Sequence, residues 1–438
     1  MLPNPTLPAS LVCLLAAFES CFTAPTFRTF CALMAGLVAQ TGPRTVCGML
    51  VGAGLSRAWA HDRAHRFFSA ARWSPERVGL VLARLVVSLL VPAGTAVTVV
   101  IDDTLFRRRG RKVWAVSWFH DGSVQGPHKV GFGNNWVIAG IVVTLPFVSR
   151  PVCLPVLAAL VVKDTTSASR LWLARRMVTA LATAVPERSI EVVADAAYAG
   201  RELRVLPDRV SWTTRLRKDA ALHEPAPPRT GLRGRPRVKG NRLGSLSALA
   251  AALEFTPTTV CRYGTTTTVQ VATLTCLWYS VFGSRRVQVV LVREAGTRRG
   301  YDLALVSTDL QAGPSQIIER YAARWSVEVA IEDAKQLFGV GQARNRLAPA
   351  VRRSVPFALV CQTLTMLWYA TAGHHPDDVT AHRERAPWYA SKAQPSTADM
   401  IAKLHRVLIA ARFRPSRPDE PTPAEIHTIR LAWDNHAA

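Results

Sequence analysis

The sequence predicts an α/β protein: a mixed β-sheet flanked by helices, with a helical segment ahead of it and further strands before a long helix near the C-terminus. Three observations carry this. Apolar clusters recur at helical spacing through residues 1–90. After Pro92 the pattern changes to β-branched runs, then alternates strand-like with helix-like segments, as in a sheet covered by helices. The chain is 438 residues long, 49% hydrophobic and 19% charged, so it has ample apolar surface for a core.

In chain order, Phe27–Ala39 and Arg63–Ala71 read as helices. Ser74-Pro75-Glu76 reads as a helix start, with an N-cap Ser, Pro at the first position and an acid in the first turn. Ala96–Ile101 is β-branched and apolar, which suits a strand buried on both faces. Strands are expected at Lys112–Trp118 and Trp136–Thr144, with a Gly-rich loop over Asp121–Gly133. Trp114, Trp118 and Trp136 are placed in the core. Ser167–Val185 gathers its apolar residues on about half a wheel and reads as a helix. The strand Ile190–Ala194, a short helix from Gly200 and the strand Val210–Thr214 follow. Strand character returns at Thr265–Leu277, Arg286–Arg293 and Asp302–Thr308, then helices at Ser315–Leu337, Phe357–Ala370 and Ala398–Arg412.

Charge narrows the function. The 54 Lys+Arg against 30 Asp+Glu leave +24, a surface that attracts polyanions, nucleic acid above all. Residues 214–242 hold nine Lys/Arg and two Asp/Glu, +7 in 29 residues, with four prolines. Within them Arg233, Arg235, Arg237 and Lys239 suit contact with DNA, either with phosphates or in a narrow minor groove. The apolar runs Val137–Val162 and Leu80–Ile101 are interrupted by Arg, Pro and Gly and are expected as buried strands, not membrane spans. Eight cysteines without a CxxC pair indicate neither a disulfide framework nor a zinc site. No Lys or Arg precedes Arg28, so no signal peptide is expected, and a cytoplasmic setting is.

Acids at strand ends of a basic protein call for an explanation. Asp103 follows one apolar strand and Asp195 ends another, where ligand-binding residues of α/β sheets gather. Such carboxylates, with a third, suit two hard cations in phosphodiester cleavage. The plain alternative is that Asp102 and Asp103 begin a turn while Asp195 caps the next helix. On the helix Ser315–Leu337, with Tyr321 at zero, Arg324, Glu328 and Lys335 fall at about −60°, −20° and −40°. That stripe is too polar for a core face and fits an acid for metal among groups for phosphate, or a solvated face of charge partners. Glu332, near about +20°, rivals Glu328.

Asp103-Thr104, Val-Ala-Asp195 before Ala-Ala-Tyr198, and Tyr321-x2-Arg324-x3-Glu328-x6-Lys335 together resemble the DDE transposases of bacterial insertion sequences, in the branch marked by a Tyr-Arg-Glu-Lys signature. The resemblance extends to Lys335-Gln336-Leu337-Phe338-Gly339 and Pro387-Trp388-Tyr389, spanning about residues 60–410. It implies an RNase H-like sheet and the triad Asp103, Asp195, Glu328 holding two Mg²⁺ ions, with Mn²⁺ as a substitute. It selects Glu328 over Glu332 and Asp103 over Asp102. It also implies a β-rich insertion before the last catalytic helix, in keeping with 328 − 195 = 133 residues between the last two acids. The expected organisation is a helical DNA-binding segment 1–90, a catalytic core 91–215 and 301–372, a basic linker with insertion 216–300, and a tail 373–438. Tyr321, Arg324 and Lys335 are expected to position DNA; some transposases of this branch hold a flipped base on an aromatic of the insertion, a role for which Trp278 or Tyr279 is the disfavoured candidate here. The implied activity is cutting of terminal inverted repeats by a homodimer and joining of the 3′-hydroxyl to target DNA. The alternatives are an inactive DNA-binding derivative or another RNase H-like nuclease.

Overall fold

The computed structural model describes residues 6–412 apart from 123, 125–126, 164–168, 229–235 and 298–299. Five helices come first: α1 (Ala9–Ala16), α2 (Ala24–Ala39), α3 (Val46–Gly52), α4 (His61–Ser69) and α5 (Pro75–Leu90). The start of α5 is as its sequence dictates, with the Ser74 hydroxyl accepting from the Arg77 N–H and Pro75 at the first helical position. Leu80–Leu90 is therefore helical, not the strand expected there. Its apolar face packs on the sheet, and the helix ends just before Pro92.

Strands β1 (Val97–Arg107), β2 (Ser117–His120), β3 (Val130–Val143) and β4 (Val152–Leu160) follow as antiparallel neighbours. Helix α6 (Arg170–Ala184) then leads to β5 (Ile190–Ala194) and β6 (Val210–Arg215), both parallel to β1. The order β4-β3-β1-β5-β6 is an RNase H-like sheet. Three expectations shift here. β1 runs six residues past Ile101, β2 replaces a strand at Lys112–Trp118, and β3 begins inside the expected loop. Trp136 is buried, but Trp118 is 61% exposed and Trp114 lies under the Arg352 guanidinium.

Helix α7 (Leu246–Ala252) precedes β7 (Thr256–Arg262) and β8 (Thr265–Leu277); then come α8 (Tyr279–Phe282), β9 (Arg286–Arg293) and β10 (Leu303–Ser307). This inserted meander continues the same sheet, because β10 pairs antiparallel with β6. A second small core of Val260, Val269, Val290 and Leu305 with Ile317 and Ile318 ties it to α9 (Pro314–Ala323). Helices α10 (Trp325–Gln336), α11 (Ala348–Trp368), α12 (Asp378–Arg385) and α13 (Thr397–Arg412) complete the described chain.

One core runs from α1 through the sheet to α13, so helices α1–α5 share it with the sheet. The hub is α11, which packs on α1, α2, α4, α5 and β4. Phe357 of α11 meets Phe30, Phe67 and Phe68 edge-on, with centroids 5.9, 5.7 and 5.3 Å away. Among the described residues, Ala348–Gly373 is the helix long and apolar enough to cross a membrane, yet 83% of that apolar window is buried inside the protein. Its apolarity is that of a central core helix.

Candidate active site

The parallel pairing of β1 with β5 ends at Ile101 opposite Ala194. The next residue along each chain is an acid, Asp102 within β1 and Asp195 just past β5, so the register sets these two side by side in the middle of the sheet, at the C-terminal end of β5. Asp102 and Asp103 are consecutive within β1 and point to opposite faces. Neither begins a turn.

Their surroundings differ accordingly. The Asp102 carboxylate takes the Arg324 guanidinium at 3.2 Å, and Arg324 also donates to Glu328 at 2.7 Å. One cation thus joins β1 to α10. Burial pushes the Asp102 carboxyl up to about 6, against the pull of Arg324; Asp195 and Asp103 add to the rise by repulsion. Asp103 instead accepts from the Tyr198 hydroxyl at 3.0 Å and from Asn135 at 3.0 Å, and pairs with Arg170 at 3.3 Å. Burial, then the charge of Asp103, lifts Tyr198 well above its ordinary range, so it stays a donor. The family resemblance favoured Asp103 alongside Glu328. In the structure Asp102 and Glu328 share the Arg324 guanidinium, while strand alternation turns Asp103 to the other face.

Asp195 caps the short turn Ala196–Tyr198, one carboxylate oxygen accepting from the Ala197 N–H at 2.8 Å. Its backbone carbonyl accepts from the Thr214 hydroxyl of β6 at 2.7 Å. The capping alternative therefore holds for one oxygen and leaves the other.

The single helix expected over Ser315–Leu337 is broken at Arg324. There Arg324 and Val327 donate to carbonyls three residues back, Tyr321 and Arg324, which tightens the turn. Tyr321 on α9 feels both Arg324 and Asp195, and its phenol is raised by burial. Its ring lies 5.9 Å from the Arg324 guanidinium. Lys335 reaches Phe106, its ammonium 5.7 Å from the ring. Phe106 shares a face of β1 with Asp102. Tyr321, Arg324, Glu328 and Lys335 thus lie along one side of the site despite the break. Glu332 is exposed and accepts from Gln336 at 2.9 Å, apart from Arg324.

The donors are all carboxylate oxygens, the set that suits Mg²⁺ or Mn²⁺. Among the described residues no three of these acids have ligand oxygens within 4.8 Å of one another. Arg324 stands between Asp102 and Glu328 as their counter-ion.

The other expected DNA contacts are scattered. Arg233 and Arg235 lie outside the described residues. Arg237 donates to Asn241 at 3.2 Å, and Lys239 sits 3.0 Å from His223 and over the Tyr279 ring. Trp278 is buried against Phe282, which removes it as a base-holding residue, while Tyr279 is half-buried between Arg204 and Lys239. Asn135 and Arg170 carried no signal in the sequence, since their meeting with Asp103 depends on β3 and α6, far away along the chain. Nor did Arg320, which pairs with Glu191 at 2.6 Å and Asp309 at 3.2 Å and so fastens α9 to the sheet.

Sheet order, acids where the β1–β5 pairing ends and an acidic helix across from them define an RNase H-like core with an inserted β-meander. Residues 17–280, more than half of the chain, match the family model described as DDE superfamily endonuclease, and the chain belongs to that family. The matched segment includes Asp102, Asp103 and Asp195 and ends before Glu328. The chain is also similar to the piggyBac transposase in its synaptic complex with hairpin DNA, at 13% identity and a TM-score of 0.42 over 98% of this chain and 82% of that one. At that superposition the likeness adds nothing to the family match. No curated protein matches the chain.

Proposed function

We propose that this DDE superfamily member is a Mg²⁺-dependent transposase of an insertion sequence, acting on double-stranded DNA. The observation that carries the reading is the cross-helix contact in which Arg324 holds Asp102 and Glu328 together while the β1–β5 register puts Asp195 beside Asp102.

Asp102, Asp195 and Glu328 would hold the metal. The resemblance favours Asp103 as the first ligand, but the geometry points to Asp102. When bound, two Mg²⁺ ions supply an activated water and charge stabilisation for phosphodiester cleavage and strand joining. The chain's own residues do the rest. β1 and β5 fix two carboxylates rigidly, and α10 brings the third from a different layer. Arg324 balances their charge and offers a guanidinium where a phosphodiester meets the acids. Tyr321 and Lys335 extend that contact along α9 and α10, a phenol and an ammonium suited to phosphate oxygens. Asp103, fixed by Tyr198, Asn135 and Arg170, positions β1 from its other face.

The +24 surface supplies affinity for DNA, and Arg237 and Lys239 of the basic segment lie beside the insertion. The reading further takes the element's terminal inverted repeats and target DNA as substrates, a homodimer as the working unit and the bacterial cytoplasm as its setting. It is tested by Mg²⁺-dependent cleavage of DNA carrying the sequences that flank the coding region. Wild type should cut, whereas Glu328→Gln and Asp102→Asn should each lose the activity and Glu332→Gln should keep it. Normal cutting by Glu328→Gln would overturn the assignment.

A further inference from the structure

Away from the carboxylates, the N-terminal helices bring Cys47, His61 and His65 together. Cys47 is the second residue of α3. His61 and His65 lie one turn apart on α4, so both rings leave the helix on one side. The segment between the helices folds α4 back beside α3, and the three side chains meet across the gap. One ligand atom from each lies within 4.8 Å of the other two. The Cys47 Sγ is 3.4 Å from His65 Nε2, and the two imidazole centroids are 5.1 Å apart. Among the described residues this is the one group of three His, Cys, Asp or Glu whose ligand atoms lie so close.

The cluster has no part in packing. α4 buries Ala64, Phe67 and Phe68, and α3 buries Val46, Met49 and Leu50, while Cys47, His61 and His65 are exposed. An ion in solution can reach them.

We propose that Cys47, His61 and His65 form a zinc site that clasps α3 to α4, with a solvent molecule in the fourth position. A thiolate with two imidazoles is a donor set for Zn²⁺ and not for Mg²⁺, so this site is chemically separate from the carboxylates. Zinc bonds of about 2.3 Å to sulfur and about 2.0 Å to nitrogen put tetrahedral ligand atoms about 3.3–3.6 Å apart. The Cys47–His65 spacing already fits, and the remaining spacings close by rotating exposed side chains between ordinary rotamers. On binding, the Cys47 thiol gives its proton to solvent as the sulfur–zinc bond forms. The clasp lies near the core: the Arg44 N–H, just before α3, donates to the Gln342 Oε1 at 2.7 Å, six residues past α10.

The test uses the full chain, stripped of metal and titrated with Co²⁺ as the probe. Besides any Co²⁺ taken up by the carboxylates, one Co²⁺ per chain should bind with the visible bands of a tetrahedral ion and a near-ultraviolet thiolate-to-cobalt band, and Zn²⁺ should displace it. Cys47→Ser should lose the near-ultraviolet band with its circular dichroism unchanged. His61→Asn and His65→Asn should each weaken binding by more than about a hundredfold, since even outer-shell partners cost about ten- to a hundredfold. Glu328→Gln should keep the tetrahedral and thiolate bands. Independently of any variant, Zn²⁺ should protect Cys47 of the wild-type protein from alkylation, mapped by mass spectrometry. The proposal is overturned by a wild-type protein without the charge-transfer band, by a band that survives Cys47→Ser or vanishes in Glu328→Gln, or by alkylation of Cys47 indifferent to Zn²⁺.

Discussion

Asp102 is an acid kept where water is scarce, and its chemistry follows from that. Its carboxyl is raised from 3.8 to about 6 by burial, so the folded state holds a proton that the unfolded chain releases. Between those values the native protein binds more protons, and the contribution of Asp102 to stability falls as pH rises, by about 3 kcal/mol across the window. In metal-free protein the stability advantage of wild type over Asp102→Asn, read from denaturant midpoints, should therefore fall from pH 3.8 to about 6. A difference between the two that stays constant or grows through this window contradicts the burial of the charge. Arg324 supplies the complementary prediction. It competes with any cation for Asp102 and Glu328, so Arg324→Gln should bind Mn²⁺ more tightly, by about tenfold or more. The same change should lower metal-free stability by about 2 kcal/mol or more, because two carboxylates lose their counter-ion. Titration calorimetry reads the first effect and chemical denaturation the second; Mn²⁺ affinity that stays constant or falls sinks the competition. Such residue-level roles were only half legible in the sequence. The motif marked the paired aspartates but not their facing, since facing depends on where β1 ends, and β1 runs to Arg107 and not to Ile101.

At the scale of elements, apolar period and cap chemistry were the most legible features. α5 begins where Ser-Pro-Glu says it should, and β5, β6, β8, β9 and β10 fall close to their expected places. The misplacements have physical causes. Leu80–Leu90 is apolar on nearly every side and so reads like a strand, although only Leu82, Ala83, Val86 and Val87 are buried, while Lys112–Trp118 has strand-forming residues but reaches β3 with only its end. The break at Arg324 was invisible to a wheel drawn at constant angle. At the break Arg324 pairs with acids on two elements, Asp102 of β1 and Glu328 of α10. Helix α11 holds the N-terminal helices through Phe357, so Phe357→Ala should cost about 3–5 kcal/mol, seen as a lower unfolding midpoint. A loss under about 1 kcal/mol would mean the aromatic cluster is not the clamp. Where α2 meets α3, a Cβ on Gly36 would run into the Met49 carbonyl, so Gly36→Ala should destabilise by about 1–3 kcal/mol despite its better helix propensity.

For the whole molecule, the alternation of segments foretold a mixed sheet covered by helices, while its RNase H-like order and insertion came from the family resemblance, the insertion in keeping with the distance between the last two acids. That the insertion extends the sheet was not foreseeable, because the β6–β10 pairing joins residues far apart along the chain. Nor did the sequence show that helices α1–α5 share the core, which rests on aromatic contacts made by α11 from the far end of the chain. The net charge of +24 acts at this scale too. If it serves DNA binding, affinity for a duplex should fall steeply between about 50 and about 200 mM salt, by about a thousandfold or more for six or more phosphate contacts. A fluorescence-anisotropy titration with little salt dependence would separate the charge from DNA. Charge gives attraction without choice of sequence, so the acids remain the test of chemistry.

The most direct measurement of the central claim is cleavage of DNA carrying the sequences that flank the coding region, in Mg²⁺, by wild type, Asp102→Asn, Asp103→Asn and Glu328→Gln in parallel. The account predicts cutting by wild type, none by Asp102→Asn or Glu328→Gln, and reduced but measurable cutting by Asp103→Asn. Full loss in Asp103→Asn with normal cutting by Asp102→Asn would contradict it and move the site to the other face of β1.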